Sequence, residues 1–173
     1  MGLTCRLVGR TEEALEAFQR AVAAAPDEGR YHHALGEALA AAGATSQAIA
    51  SLEEAVHLCP QEPGWLRTLG ELCFSEARYQ SALEAFAQAA ELAPEDPHHR
   101  VWMARAYRGL RRPKAALEHL EQALALRPDE ASWHAELGAL CRELGDEGRA
   151  LLAYQEARKR DPREPAYHLG EAQ

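Results

Sequence analysis

The chain has 173 residues, 47% of them apolar, and its nineteen basic and twenty-seven acidic residues give a net charge of −8. That is enough apolar material for the core of one ordinary folded domain, and the acidic balance argues against a general affinity for nucleic acid or for anionic membrane. No apolar run reaches transmembrane length and the N-terminus lacks a basic segment followed by an apolar one, so the chain is read as intracellular, in the cytoplasm.

Taken along the chain, the sequence repeats itself. LGELC at 69–73 returns as LGALC at 137–141; Met103-Ala104 stands halfway between, and Leu35-Gly36 lies thirty-four residues before the first copy. Pro26, Pro60, Pro94, Pro128 and Pro162 keep the same interval of thirty-four without insertion or deletion. With that proline as position 32 of each unit, residues 1–28 form a truncated unit, the end of a first helix followed by a second helix. Four complete units follow at 29–62, 63–96, 97–130 and 131–164, and 165–173 start a further helix or cap. The whole reads as one continuous array. A period of this length is the mark of stacked supersecondary units.

Each unit predicts two helices. In the second half, position 20 is always alanine (Ala14, Ala48, Ala82, Ala116, Ala150), and so is position 27 (Ala21, Ala55, Ala89, Ala123, Ala157). Position 24 between them is large: Phe18, Leu52, Phe86, Leu120 and Tyr154. Spacings of four and three put the three on one helix face. The first half carries apolar residues near positions 4, 7, 8 and 11, as in Leu66, Leu69, Gly70 and Cys73, and the small residue at 8 lets a neighbouring helix approach. Turns are expected near position 15, at Gly9, Gly43, Gly145 and Arg111-Arg112-Pro113; Pro63, Pro97 and Pro165 open first helices and Pro113 a second. Each helix of about fourteen residues is about 20 Å long.

Leu-Gly at 7 and 8, Ala at 20, an aromatic or Leu at 24, Ala at 27 and Pro at 32, repeated in phase over nearly the whole chain, resembles the tetratricopeptide repeat. The aromatic that this family carries at position 4 sits here at position 3 (Tyr31, Trp65, Trp133, Tyr167) or 6 (Trp102), so packing around the first helices should differ in detail. The resemblance implies an all-α solenoid, a right-handed superhelix of antiparallel helix pairs with first helices lining a concave side. It also implies a protein-interaction scaffold. The family's carboxylate clamp is missing, since its positions hold His33, Glu37 and Thr68, and the asparagine ladder of sugar-transferase repeats is missing because the chain has no asparagine.

On a first helix, positions 2, 5, 9 and 13 point away from the packed side and 12 lies at its border. The partner-binding candidates read from them are Arg30, His33, Arg67, Glu71, Phe74, His98, Arg105, Arg108 and Arg142, with Glu37, Val101, Ser132, Ala135 and Ala139 at the same helix positions. The unit 97–130 has seven basic and four acidic residues against two and six in 63–96, a local reversal of sign. Guanidinium binds carboxylate through paired hydrogen bonds, so the expected partner is an extended acidic peptide held by Arg67, Arg105, Arg108 and Arg142, with Phe74 as an apolar contact. The plainer reading is that each arginine is solvated or paired with a nearby glutamate.

Other chemistry has little support. No nucleophile elbow, phosphate loop or paired-carboxylate site is present, so the chain is not read as an enzyme and no cofactor is implied. Adjacent histidines at 32–33 and 98–99 point about 100° apart and do not share a metal; His134 and His168, at position 4 like His32, are expected to cap or pack at unit junctions. The four cysteines (5, 59, 73, 141) make neither a disulfide framework nor the C-x-x-C pairs of a zinc site, and those at position 11 (Cys5, Cys73, Cys141) are expected to be core thiols. Met1 falls at position 7 and Gln173 at position 9, so open apolar ends are expected, belonging either to a fragment of a longer array or to a chain that self-associates end to end. Two alternatives to a scaffold stand beside it: a substrate-recruiting region of a larger enzyme such as a glycosyltransferase or kinase, and a structural spacer.

Overall fold

A computed structural model describes residues 2–164, with side chains from Glu12 onward. All regular structure among the described residues is helical: α1 (Gly2–Ala24), α2 (Gly29–Ala41), α3 (Thr45–Leu58), α4 (Pro63–Ser75), α5 (Tyr79–Leu92), α6 (Pro97–Gly109), α7 (Pro113–Leu126), α8 (Ala131–Glu143) and α9 (Glu147–Arg160). The contacts divide the chain into two compact units, Met1–Leu92 and Ala93–Gln173. In each, helices pair as hairpins (α2 with α3, α4 with α5; α6 with α7, α8 with α9), and the second helix of one pair packs on the first helix of the next (α3 on α4, α7 on α8). The architecture is an α-solenoid.

Local chemistry sets the helix ends. Pro63, Pro97 and Pro113 occupy the first turn of α4, α6 and α7, where a missing N–H costs nothing. Asp96 Oδ1 accepts from His98 N and Asp146 Oδ1 from Arg149 N, each at 3.0 Å, capping α6 and α9. All four hairpin turns share one geometry: Ala44, Arg78, Arg112 and Asp146 each donate a backbone N–H at 2.9 Å, to the carbonyls of Leu39, Cys73, Tyr107 and Cys141. This closure requires a left-handed residue just before the donor. Gly43 (φ 78°) and Gly145 (φ 81°) meet it freely, whereas Ala77 (φ 56°) and Arg111 (φ 58°) adopt it with a side chain. The Pro-opened turn at 111–113 was expected; the turn at Ala77 carries no marker residue.

The core follows the small-large-small pattern. Ala48, Ala55, Ala82, Ala89, Ala116 and Ala123 are fully buried, as are Leu52, Phe86 and Leu120 between them. Each large residue so buried contributes about 1.5–3 kcal/mol relative to exposure. Position 24 fits against the small residue at position 8 of its own unit: a Cβ added at Gly36 would lie 2.7 Å from Leu52, at Gly70 2.6 Å from Phe86, and at Gly138 3.0 Å from Tyr154. In the Met1–Leu92 unit a core of Leu35, Leu39 and Ala48 is joined by Phe18, Val22 and Leu72. In the other, Val101, Ala104, Leu120, Leu124, Trp133 and Leu140 cluster.

Two expectations are corrected. Gly9 makes no turn, because α1 runs unbroken through it from Gly2 to Ala24; continuing the helix keeps hydrogen bonds that a seven-residue stub packed alongside would have to replace. Val101, placed with the outward positions of its helix, is 2% exposed and belongs to the core. Met103 and Ala104 of the same helix stay buried at positions 7 and 8, as Leu35-Gly36 and Leu69-Gly70 are in the earlier repeats, so α6 buries position 5 in addition. Pro165, Tyr167 and His168 lie outside the described residues.

Candidate interaction face

In the Met1–Leu92 unit the outward face of the first helices α2 and α4 holds Arg30, His33, Arg67, Glu71 and Phe74. Arg30 pairs with Glu28 and lies over the Tyr31 ring at 5.2 Å. Arg67 Nη1 donates to Glu71 Oε1 at 3.0 Å, one turn along the same helix. His33 turns toward α4: its ring stacks on Trp65 with centroids 4.9 Å apart, and Nδ1 lies 3.6 Å from Glu37 Oε2. It is therefore a junction residue between two repeats. Phe74 is half-buried and meets Tyr79 edge-on at 5.4 Å.

In the Ala93–Gln173 unit the corresponding face is α6 and α8, carrying His98, Arg105, Arg108 and Arg142. Arg105 forms a two-point pair with Glu136, Nε to Oε2 at 3.1 Å and Nη2 to Oε1, and lies 4.8 Å from the Trp102 ring. Arg108 Nε donates to Glu143 Oε2 at 3.0 Å. These bonds tie the first helix of one repeat to the first helix of the next. His98 Nε2 accepts from Arg127 Nη1 at 3.0 Å, and its ring meets Trp133 edge-on. Arg142 differs: it is exposed, lies over the Tyr154 ring at 5.9 Å, and among the described residues has no carboxylate partner.

Glu136 and Glu143 were not singled out in the sequence, because their partners stand thirty-one and thirty-five residues away and no local spacing links them. Of the two position-4 histidines expected at unit junctions, His134 lies at one, His168 is outside the described residues, and His32 repeats the arrangement of His134. His32 and His134 each donate Nε2–H at 2.8 Å to a proline carbonyl, of Pro26 and Pro128, fixing the entry of the repeat. Cys73 and Cys141 are buried, and burial raises both thiols above the usual cysteine range. The His119 ring stacks on Tyr107 with centroids 5.1 Å apart, and burial, with the Arg100 charge second, lowers its pKa. Lys159 and Arg160 hydrogen-bond Glu156 and hold its carboxyl down to about 2. Among the described residues no three potential metal ligands converge, and no helix is long and apolar enough to cross a membrane.

Comparison with known proteins bears on the fold. Family models described as tetratricopeptide repeat match residues 8–63 and 103–172, and a further one matches 68–96. No curated protein matches the chain in sequence. Solved structures do match in fold. One of MamA is 20% identical with a TM-score of 0.84 over 94% of this chain and 95% of that one. MamA from Desulfovibrio magneticus RS-1 is 21% identical, with a TM-score of 0.82 over 94% and 92%. YrrB, described as a TPR protein with an unusual peptide-binding site, is 20% identical with a TM-score of 0.71 over 86% and 77%. With most of its length matched by these models, and with its hairpins built as the repeat pattern requires, the chain belongs to the tetratricopeptide repeat family.

Proposed function

We propose that the chain is a non-catalytic protein-interaction module that holds an extended, acidic segment of a partner on the outward face of its first helices. The observation that carries this reading is Arg142, an exposed guanidinium with no carboxylate partner among the described residues, on the same helix as the Glu143 that pairs with Arg108. An incoming carboxylate can take Arg142 directly and compete with Glu143 for Arg108. Arg67 and Arg105 are committed to Glu71 and Glu136 and contribute less than their charge suggests. A peptide-binding relative of the same fold, YrrB, agrees with the reading. The test is a photoreactive side chain at Ala139, on the first helix α8, compared with one at Leu152 on α9, in the presence of a labelled acidic peptide. Crosslinks at 139 but not at 152 support the face; the reverse pattern removes it.

Self-association is the second reading, favoured by α9. Position 21 is buried as Ile49 and Leu83 but exposed as Leu151 (40%), and position 22, acidic or alanine elsewhere (Glu16, Ala50, Glu84, Glu118), is Leu152, 62% exposed. A mass that rises with concentration in light scattering and is abolished by Leu152→Glu supports this reading; a constant monomer mass removes it.

A further inference from the structure

The turn joining α6 to α7 carries charge that the fold leaves unused. Arg111, Arg112 and Lys114 are all exposed, and among the described residues none of the three pairs with a carboxylate, although nearby Arg105 and Arg108 both do. The same places in the other repeats hold Gly43, Ala44 and Ser46, then Ala77, Arg78 and Gln80, then Gly145, Asp146 and Gly148. Where a charge occurs there it is engaged: Arg78 lies 3.6 Å from Glu53, and Asp146 caps α9. At α7 the cap position is Arg112, whose side chain makes no capping bond. Cations at that end oppose the helix dipole, and Arg111 holds the left-handed backbone that Gly43 and Gly145 adopt without strain. Local stability therefore gives no reason for these three residues.

The turn is nevertheless well ordered as a mount. Arg111 N donates to Arg108 O at 3.0 Å and Arg112 N to Tyr107 O at 2.9 Å, while the Pro113 ring fixes the backbone that follows. The three Cα atoms fall within about 11 Å of chain, the reach of three to four residues of extended peptide. A short acidic stretch can thus present a carboxylate to each cation. A longer polyanion would run on past the three cations over a surface that is acidic as a whole, beginning with Glu118 and Asp146, which line the crevice beside Lys114 together with Arg149.

We infer that this turn is the charge anchor for a short carboxylate-rich stretch of a protein partner, with Arg111 and Arg112 each gripping a carboxylate by paired hydrogen bonds and Lys114 acting as a point charge. The inference rests on the interaction role proposed above and adds a site that the first-helix face does not include. It is tested by fluorescence anisotropy with a fluorescein-labelled octaglutamate peptide at low salt, comparing the wild type, the variant R111G/R112Q/K114Q and the variant R142Q. Glycine at 111 is the residue two other turns already use, so the triple variant should fold, as circular dichroism checks. Losing three exposed contacts should weaken binding about tenfold or more. If the triple variant stays within about twofold of wild type while R142Q loses affinity, the turn is not the anchor and the first-helix reading survives. If the wild type does not bind the peptide, both fall. If a single-stranded DNA 12-mer binds more tightly and loses that binding in the triple variant, the cations serve nucleic acid and the peptide assignment is overturned.

Discussion

Gly70→Ala places a methyl group where the fold has least room. The added Cβ would sit 2.6 Å from Phe86 Cε1 and 2.8 Å from both Cδ1 and Cζ, well inside van der Waals contact. Phe86 cannot swing aside, because it is fully buried between Ala82 and Ala89. Overpacking of this kind costs about 1–3 kcal/mol, and replacing a mid-helix glycine by alanine returns about 1 kcal/mol, leaving a net loss of up to about 2 kcal/mol. In a chain of this size that is a fall in Tm of up to roughly 8 °C. Gly64→Ala is the matched control on the same helix: nothing lies within 4 Å of its added Cβ, so it should be neutral or stabilising. Thermal and urea unfolding followed by circular dichroism at the helix band gives both values. The packing argument is refuted if Gly70→Ala is as stable as Gly64→Ala, and it gains support if Phe86→Leu in the same chain restores most of the loss.

Three further outcomes follow from the geometry. Ala77→Gly relieves a left-handed backbone that costs about 1–2 kcal/mol, against a loss of about 0.4–1 kcal/mol through the freer unfolded chain, so it should raise stability by about 0.5–1 kcal/mol, read as a higher urea midpoint. His119 has a lowered folded pKa, so the unfolded chain binds its proton first; its contribution is whole above the unfolded value of about 6.5 and is lost as pH falls from there toward the folded pKa. His119→Phe should therefore flatten the decline in stability below pH 6.5, and an unchanged pH profile would show that the ring does not titrate as described. Cys73 and Cys141 should resist a thiol reagent in the native protein at neutral pH and react once urea unfolds it, whereas fast native labelling at either would contradict their burial.

The proline register and the alanines at positions 20 and 27 made the hairpins readable, because a buried helix contact that recurs every thirty-four residues leaves the same small side chains each time. Gly36, Gly70 and Gly138 could be read as sites of close approach for the same reason, and their partners at position 24 are the large residues the pattern marks. The junction role of His134 followed from its helix position, which His32 shares. What stayed hidden depends on three-dimensional neighbours. The pairs Arg105 with Glu136 and Arg108 with Glu143 cross a whole repeat, so the sequence shows free arginines where the fold has ion pairs. His33 is drawn to Trp65 on the next first helix. Val101 packs into the cluster with Leu120, Leu124 and Trp133, residues of the following helices that its own helix position does not reveal. The left-handed backbone at Ala77 follows from the hydrogen bond that closes its turn, and alanine gives no hint of it.

The interaction role is tested most directly by titrating isotope-labelled protein with an octaglutamate peptide and following the backbone amide resonances. The arrangement described here predicts that the largest shifts cluster on the first helices α6 and α8, around Arg108, Ala139 and Arg142, and on the turn at Arg111 and Arg112. Shifts confined to the second helices α7 and α9, or none at peptide concentrations in the millimolar range, would contradict it.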